Sequence, residues 1–512
     1  MNPLQILVGY FPTGTTEGER HILRKAFVQT EEYTDLITPP PHSPRIIIGK
    51  KGSGKSAIID FSMTLFSRTH VPAVLIKPMD ISLGAIPEGA AVGEITRAAL
   101  SELTKATASV LGASLSGLIS ESDKKLYDEA IKKGLAEKDT VGKLSRLLPK
   151  LAKSYTSVDL SALLPEADDV TIERLERAIK DNLSQSAQGF YIFIDDTDQV
   201  AAPDRPGHLN RIWGFLLAAR ELCSRIAQVR CIISLREEVW RRLTSDKAGQ
   251  RDQTDHFQGL TRHLNPTREH ISNIVNRRLA LAATDIGIEA PNPWPLFFEG
   301  DSPKIPTSDE RSNWSDLIVV RSRERPRDAV QMINKLAQRA IADDRGTINE
   351  QDFSIEMIEF SKQRAALLAQ EAEYECPQLD EIIRTFANIK YDHGSFKATS
   401  ETIRRHFQSI EGSFGITLYG HTMNMSKEDD LLQVWRYCYD VGFLNARVAD
   451  TRQKDGYRHI YPHEDPNLVS KARWNDMQAT VWEIGPAYRD HLLIIQKDYI
   501  ARTGLPPKGR KK

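Results

Sequence analysis

The sequence predicts an α/β fold, with a mostly parallel sheet at its core, a helical insertion, a helical lid and a separate C-terminal domain. Three observations carry this expectation. Short apolar runs at residues 45–48, 191–194 and 229–236 read as buried strands, being too short for helices and rich in β-branched and aromatic residues. Each run ends in glycine, acidic or polar residues, as parallel strands do where their C-terminal edge meets a ligand. Near residue 375 the composition changes, and helical segments give way to a hairpin and a terminal helix.

The first strand runs into Gly49-Lys50-Lys51-Gly52-Ser53-Gly54-Lys55-Ser56, a complete G-x-x-x-x-G-K-S, and a helix follows from Ser56. Glycines let the backbone wrap close to a phosphate with successive N–H groups pointing inward. The helix N-terminus adds partial positive charge. Lys55 has the reach for the β/γ-phosphates, and the Ser56 hydroxyl is a ligand for Mg²⁺. All eight residues are candidates for nucleotide binding.

The second strand delivers Asp195 and Asp196 to the same edge. Asp195 is the candidate metal ligand, and Asp196, one residue further along, is the candidate to polarise an attacking water. Asp198 either caps the next helix or serves a site shared with a neighbouring subunit. In the third strand Ser234 is a polar residue inside an apolar run. It reads as a sensor of phosphate or water, or as a hydroxyl bonded to a neighbouring carbonyl. Arg236, just beyond, has four readings: nucleotide contact, contact with a neighbouring subunit, a partner for Asp195 or Asp196, or a structural salt bridge.

The loop, the strand ending in Asp-Asp and the polar strand resemble the Walker A, Walker B and sensor-1 series of additional-strand P-loop ATPases. The segment CIISLREEVW looks more like the bacterial KAP- and STAND-type ATPases and the origin-recognition-like branch than like a kinase or a small GTPase. No NKxD guanine-reading element is present in a convincing position. The resemblance therefore implies ATP and Mg²⁺, hydrolase activity, and homo-oligomers in which an arginine completes a neighbour's site. Arg236, Arg268, Arg277 and Arg278 are the candidates for that arginine, with a plain solvated face the alternative for the last three. The segment 323–330, RERPRDAV, is similar to the start of an AAA+/STAND lid helix, which implies a sensor-2-like role for Arg327. Glu324-Arg325 replaces the usual glycine before Pro-Arg, so Arg325 stands as the alternative. The insertion resembles those of ATPases from phage-defence and mobile-element regions. That likeness implies an antiviral ATPase acting through a separate effector, a nuclease or toxin.

The expected partition is 1–83 and 176–286 for the ATPase core, 84–175 for the helical insertion and 287–370 for linker and lid. A winged-helix-like domain follows over 371–500, with a basic tail, 501–512. Residues 17–29 read as a helix with Ile22, Leu23, Ala26 and Phe27 on its apolar face, and Tyr10 and Phe11 either stack near adenine or pack in a core. In the last domain Trp435, Tyr437, Tyr439 and Phe443 lie along one predicted helix over 426–450. Tyr488, Arg489 and His491 are candidates for DNA or partner contact, as are Arg447, Arg452, Lys454, Arg458, Lys471 and Arg473 around the hairpin.

Composition sets limits. Lys plus Arg total 68 against 69 acidic residues, a net charge of −1 that excludes a polycationic nucleic-acid coat and leaves local DNA contact open. The four cysteines are scattered, without a CxxC pair, as expected of a reducing compartment. No metal beyond Mg²⁺ is indicated. No run of 18 apolar residues occurs and the N-terminal stretch lacks a signal-peptide pattern, so the expectation is a cytoplasmic protein without a membrane partner.

Overall fold

The computed structural model describes residues 2–77, 86–87, 89–115, 121–133, 135, 171–185, 189–200, 207–245, 251–306, 310–391, 395–453 and 456–503. Most of the second half of the expected insertion, Lys454 and the tail PPKGRKK lie outside them. The chain forms two compact units, Leu23–Asn265 and Met1–Ile22 with Pro266–Lys512. Two helices open the chain, α1 (Pro3–Tyr10) and α2 (Thr16–Ala26), and the division between units falls within α2.

Unit Leu23–Asn265 contains α3 (Tyr33–Ile37), β1 (Arg45–Gly49), α4 (Lys55–Arg68), β2 (Ala73–Ile76), α5 (Val92–Ala113), α6 (Glu121–Lys132) and α7 (Ile172–Ser184). It continues with β3 (Phe190–Ile194), α8 (His208–Arg225), β4 (Val229–Arg236), α9 (Glu237–Ser245), α10 (Arg251–Gln258) and β5 (Thr261–His263). The five strands form one parallel sheet in the order β2-β3-β4-β1-β5. β4 lies between the loop-bearing strand and the acid-tipped strand, so this is a P-loop fold of the additional-strand, AAA+ type. Strand alternation explains why the runs are apolar throughout. Ile46, Ile48, Ile192, Ile194 and Ile233 face the helices α5, α7 and α8, whereas Ile47, Phe193 and Ile232 face α4. Each such fully buried side chain contributes about 1.5–3 kcal/mol.

The described part of the insertion is helical. α5 packs on α6 and α8, and a Cβ at Gly112 would stand 2.0 Å from the Leu126 carbonyl oxygen, so only glycine permits that approach. α7 runs on to Ser184, past the expected limit at 175.

The second unit combines α1 with α11 (Arg268–Asp285), α12 (Trp294–Phe297), α13 (Trp314–Arg321), α14 (Pro326–Ala342) and α15 (Glu350–Glu371). These helices share one apolar core, which includes Leu7, Ile271, Ile318, Ile333 and Phe353. The Thr267 side chain caps α11 by accepting from the His270 N–H, and Asn349 with Asp352 forms a capping box on α15. α14 starts at Pro326 rather than Arg323. Arg323 and Glu324 both take left-handed backbone angles, φ 56° and 53°, which no helix continues. Phe297 and Phe298 are buried, and they tuck the proline-rich segment against the lid core.

Beyond come α16 (Leu379–Thr385), β6 (Lys397–Thr399), α17 (Ser400–Ser409), the hairpin β7 (Ile416–Leu418) and β8 (His421–Met423), and α18 (Glu428–Asp440). Then follow β9 (Leu444–Ala449), β10 (Tyr457–Ile460), α19 (Trp474–Ala479), β11 (Val481–Ile484) and α20 (Arg489–Thr503). The antiparallel order is β10-β9-β11-β6. The helix expected to continue past 440 instead stops there. Gly442 turns at φ 78°, and the β-prone LNARVA becomes a strand. Trp435, Tyr437, Tyr439 and Phe443 are all core residues.

Candidate active site

The loop 49–56 joins β1 to α4, and its shape is set by two glycines at positive φ, Gly52 (84°) and Gly54 (108°). Gly49 is required for a different reason. A Cβ there would lie 2.6 Å from Ser53 Oγ, which is buried and has no hydrogen-bond partner among the described residues. Lys55 is only 9% exposed, and its ammonium donates to the carbonyls of Gly49 (2.7 Å) and Lys50 (3.2 Å) inside its own loop. Desolvation lowers its pKa to about 8, with the charge of Glu238 the main opposing influence. A buried cation at a helix N-terminus is arranged to receive an anion. Ser56 occupies the first turn of α4.

The acidic strand tips stand beside it. Asp195 is buried and accepts a hydrogen bond from the Ser234 hydroxyl, while Ser234's carbonyl accepts from Thr197 Oγ1 at 2.7 Å. Ser234 is therefore tied to a carboxylate rather than to a carbonyl. Asp196 sits in the left-handed region at φ 55° and is ion-paired to Lys77 (3.2 Å), one residue past β2. Arg236 lies across the sheet from Gly49 in register. Its guanidinium reaches Asp198 at 3.1 Å and Glu238 at 4.0 Å, so neither Asp195 nor Asp196 is its partner here. Burial raises the pKa of Asp198, and Arg236 counters it.

Lys77 and Glu238 were not foreseen. The available signal for Lys77 was a lysine directly after the apolar run AVLI, the same strand-then-polar pattern that marked Asp195. The hard oxygen donors Ser56 and Asp195 suit Mg²⁺.

Arg325 and Arg327 belong to the other compact unit. Arg325 is buried and forms a two-pronged pair with Glu371, at 3.0–3.2 Å. Arg327 donates to the Gly14 carbonyl at 3.0 Å. Of the other arginines, Arg278 is buried, bonded to Glu19 (2.6 Å) and to the Tyr10 carbonyl (2.8 Å), and is not on a solvated face. Arg268 pairs with Glu324 at 2.7 Å. Phe11 is fully buried in the lid core. Tyr488 and His491 are buried as well, and Arg489 is bonded to Glu483, so that cluster faces inward. The hairpin's charges are largely matched internally: Arg452 and Arg458 converge on Asp450, Arg473 on Asp465 and Asp476, and Lys471 lies 4.0 Å from Glu428.

Among the described residues no group of acidic, histidine or cysteine side chains forms a ready-made metal cluster, and no helix is long and apolar enough to cross a membrane. Residues 269–369 match the family described as the FunZ-associated C-terminal helical domain. No curated protein matches the chain. Among solved structures, the Aeropyrum pernix ORC2 protein in its ADPNP–ADP complexes aligns at 10% identity over 96% of this chain and 95% of its own, with a TM-score of 0.40. The Aeropyrum pernix ORC1 protein in complex with DNA aligns at 12% identity over 98% of each chain, with a TM-score of 0.30. Cdc6p from Pyrobaculum aerophilum aligns at 12% identity over 97% of this chain and 98% of its own, again at a TM-score of 0.30.

Proposed function

We propose that the protein is a Mg²⁺-dependent ATP hydrolase that uses ATP binding or turnover to control assembly, of its own copies or with a partner. The observation that carries this reading is the Lys55 ammonium, buried at a helix N-terminus and bonded only to carbonyls of its own glycine-shaped loop among the contacts described. Lys50, Lys51, Ser53 and the loop N–H groups would cradle the phosphates, and Lys55 would exchange its carbonyl partners for phosphate oxygens. Ser56 and Asp195 would hold Mg²⁺, which when bound supplies charge neutralisation for the phosphates. Asp196 would orient the attacking water once freed from Lys77. Ser234 fixes the Asp195 carboxylate, and Arg236, paired with Asp198, is a further cation beside the loop lysines. Of the two lid arginines, Arg327 is the better sensor-2 candidate, because Arg325 is already committed to Glu371.

On this reading the domains divide as core (1–83 and 176–286), insertion (84–175), lid (287–370) and winged-helix-like module (371–500), in a cytoplasmic protein. The anti-phage setting and a nuclease or toxin effector rest on the sequence resemblance alone. DNA loading through the last module is the second reading. The pairing of its basic residues with Asp450 and Asp465 leaves fewer charges for phosphate contact. Steady-state ATP turnover of the purified chain, with and without Mg²⁺, tests the main reading. Absence of turnover and of ATP binding would falsify it.

A further inference from the structure

The segment 321–325 and the start of α20 carry more buried charge than packing requires. Arg321, at the end of α13, is ion-paired with Asp490 in the first turn of α20 and donates to the Pro486 carbonyl at 2.9 Å. The two side chains are 3% and 5% exposed. The residues on either side of Asp490 point to different neighbours. Arg489 bonds to Glu483 on β11, and the His491 N–H donates to Ser361 Oγ of α15 at 3.0 Å. Three consecutive residues thus join the C-terminal sheet, the loop before the lid helix, and the lid itself.

The loop is fastened from its own side too. Arg323 pairs with Asp328 at 2.6 Å, Arg364 meets the other oxygen of Asp328, and Arg325 grips Glu371. Glu324 accepts from Arg268 Nε at 2.7 Å and from the Tyr461 hydroxyl at 3.1–3.2 Å, linking the start of α11 to the turn after β10. Arg323 and Glu324 are adjacent non-glycine residues in the left-handed region. Such a conformation persists only where surrounding contacts over-determine it.

We propose that the lid and the C-terminal module form one mechanical body, locked by segment 321–325 against the start of α20, so that any displacement of the lid reaches the C-terminal module undiminished. Buried, matched charges do not slide past one another, because a shift leaves both partners desolvated and unpaired. The lock itself is a property of the contacts above. Its use as the output of an ATP site rests on the reading of the preceding subsection.

The test uses the full chain without nucleotide, so its failure says nothing about ATP. Hydrogen exchange with mass spectrometry is followed at rising urea. Peptides from α14 and α15 and peptides from α18 to β11 are expected to lose protection at one shared midpoint. Asp490→Asn is expected to split that midpoint, with the C-terminal peptides opening first, and Tyr461→Phe to split it less. Two midpoints in the wild type, or one unchanged midpoint in Asp490→Asn, overturns the proposal. Should Asp490→Asn not fold, an unsplit transition in Tyr461→Phe overturns it instead.

Discussion

The lid and C-terminal unit and the phosphate-loop region of the sheet unit treat buried charge differently. In the lid and C-terminal unit, buried arginines meet carboxylates: Arg278 meets Glu19, Arg321 meets Asp490, and Arg323 and Arg364 share Asp328. In the sheet unit, the buried Lys55 is hydrogen-bonded to main-chain carbonyls of its own loop, and desolvation depresses its pKa. Matched charges hold a scaffold together. A buried cation whose hydrogen bonds go to main-chain carbonyls of its own loop, and whose pKa is depressed, marks a place where something negative is to arrive.

This contrast can be broken most forcefully at Asp196. Asp196→Asn is expected to slow ATP turnover by about 10²–10⁴-fold, the usual worth of a group that handles the reacting proton. ATP affinity should stay within about twofold. Parallel turnover and equilibrium-binding assays check both, and equal loss of binding and turnover would remove Asp196 from the chemistry. On the scaffold side, Arg278→Met strands Glu19 and is expected to cost about 3–5 kcal/mol in urea unfolding. Adding Glu19→Leu should recover much of that loss.

A third prediction concerns pH. His406 is buried beneath Phe386, bonded to Thr385 Oγ1 at 2.9 Å, and burial lowers its pKa to about 4. The folded pKa lies below the unfolded value of about 6.5, so protons favour the unfolded chain. Stability is full above about pH 6.5 and falls by about 3 kcal/mol as pH drops toward 4. His406→Gln should flatten that slope in denaturant titrations at pH 7, 5.5 and 4.5. The smallest effect is expected at Lys77. Lys77→Ala frees Asp196 from a half-buried, solvent-accessible ion pair worth about 1 kcal/mol or less, so turnover should change by no more than about fivefold.

Much of the sheet unit was legible because its signals are local. Apolar runs fixed β1, β3 and β4, and the glycine-lysine spacing fixed the loop. Ser234 was legible as a polar intruder, but its attachment to Asp195 depends on the parallel register of β3 and β4, which no local pattern contains. Lys77 carried a local signal, a lysine at the tip of an apolar run, but its pairing with Asp196 depends on the register of β2 and β3. The arginines of 321–327 were harder still. Sequence singled out Arg325 and Arg327 as sensor-2 candidates and gave Arg321 and Arg323 no role, whereas the fold commits Arg321 to Asp490, Arg323 to Asp328 and Arg325 to Glu371. The helix expected beyond residue 440 failed because Gly442 and a β-prone run outweigh a helical pattern that the aromatics of α18 seemed to extend.

The most direct test of the central claim is equilibrium binding of ATP to the wild type and to Lys55→Ala, with Mg²⁺ present. One site per chain is expected in the wild type, weakened by about 10- to 100-fold in the variant, the worth of one charge-assisted contact. Urea stability should be unchanged or higher in the variant, because removing a buried cation whose desolvation outweighs the attraction of nearby carboxylates relieves that cost. Equal ATP affinity in the two proteins, or no binding by the wild type, would contradict the account.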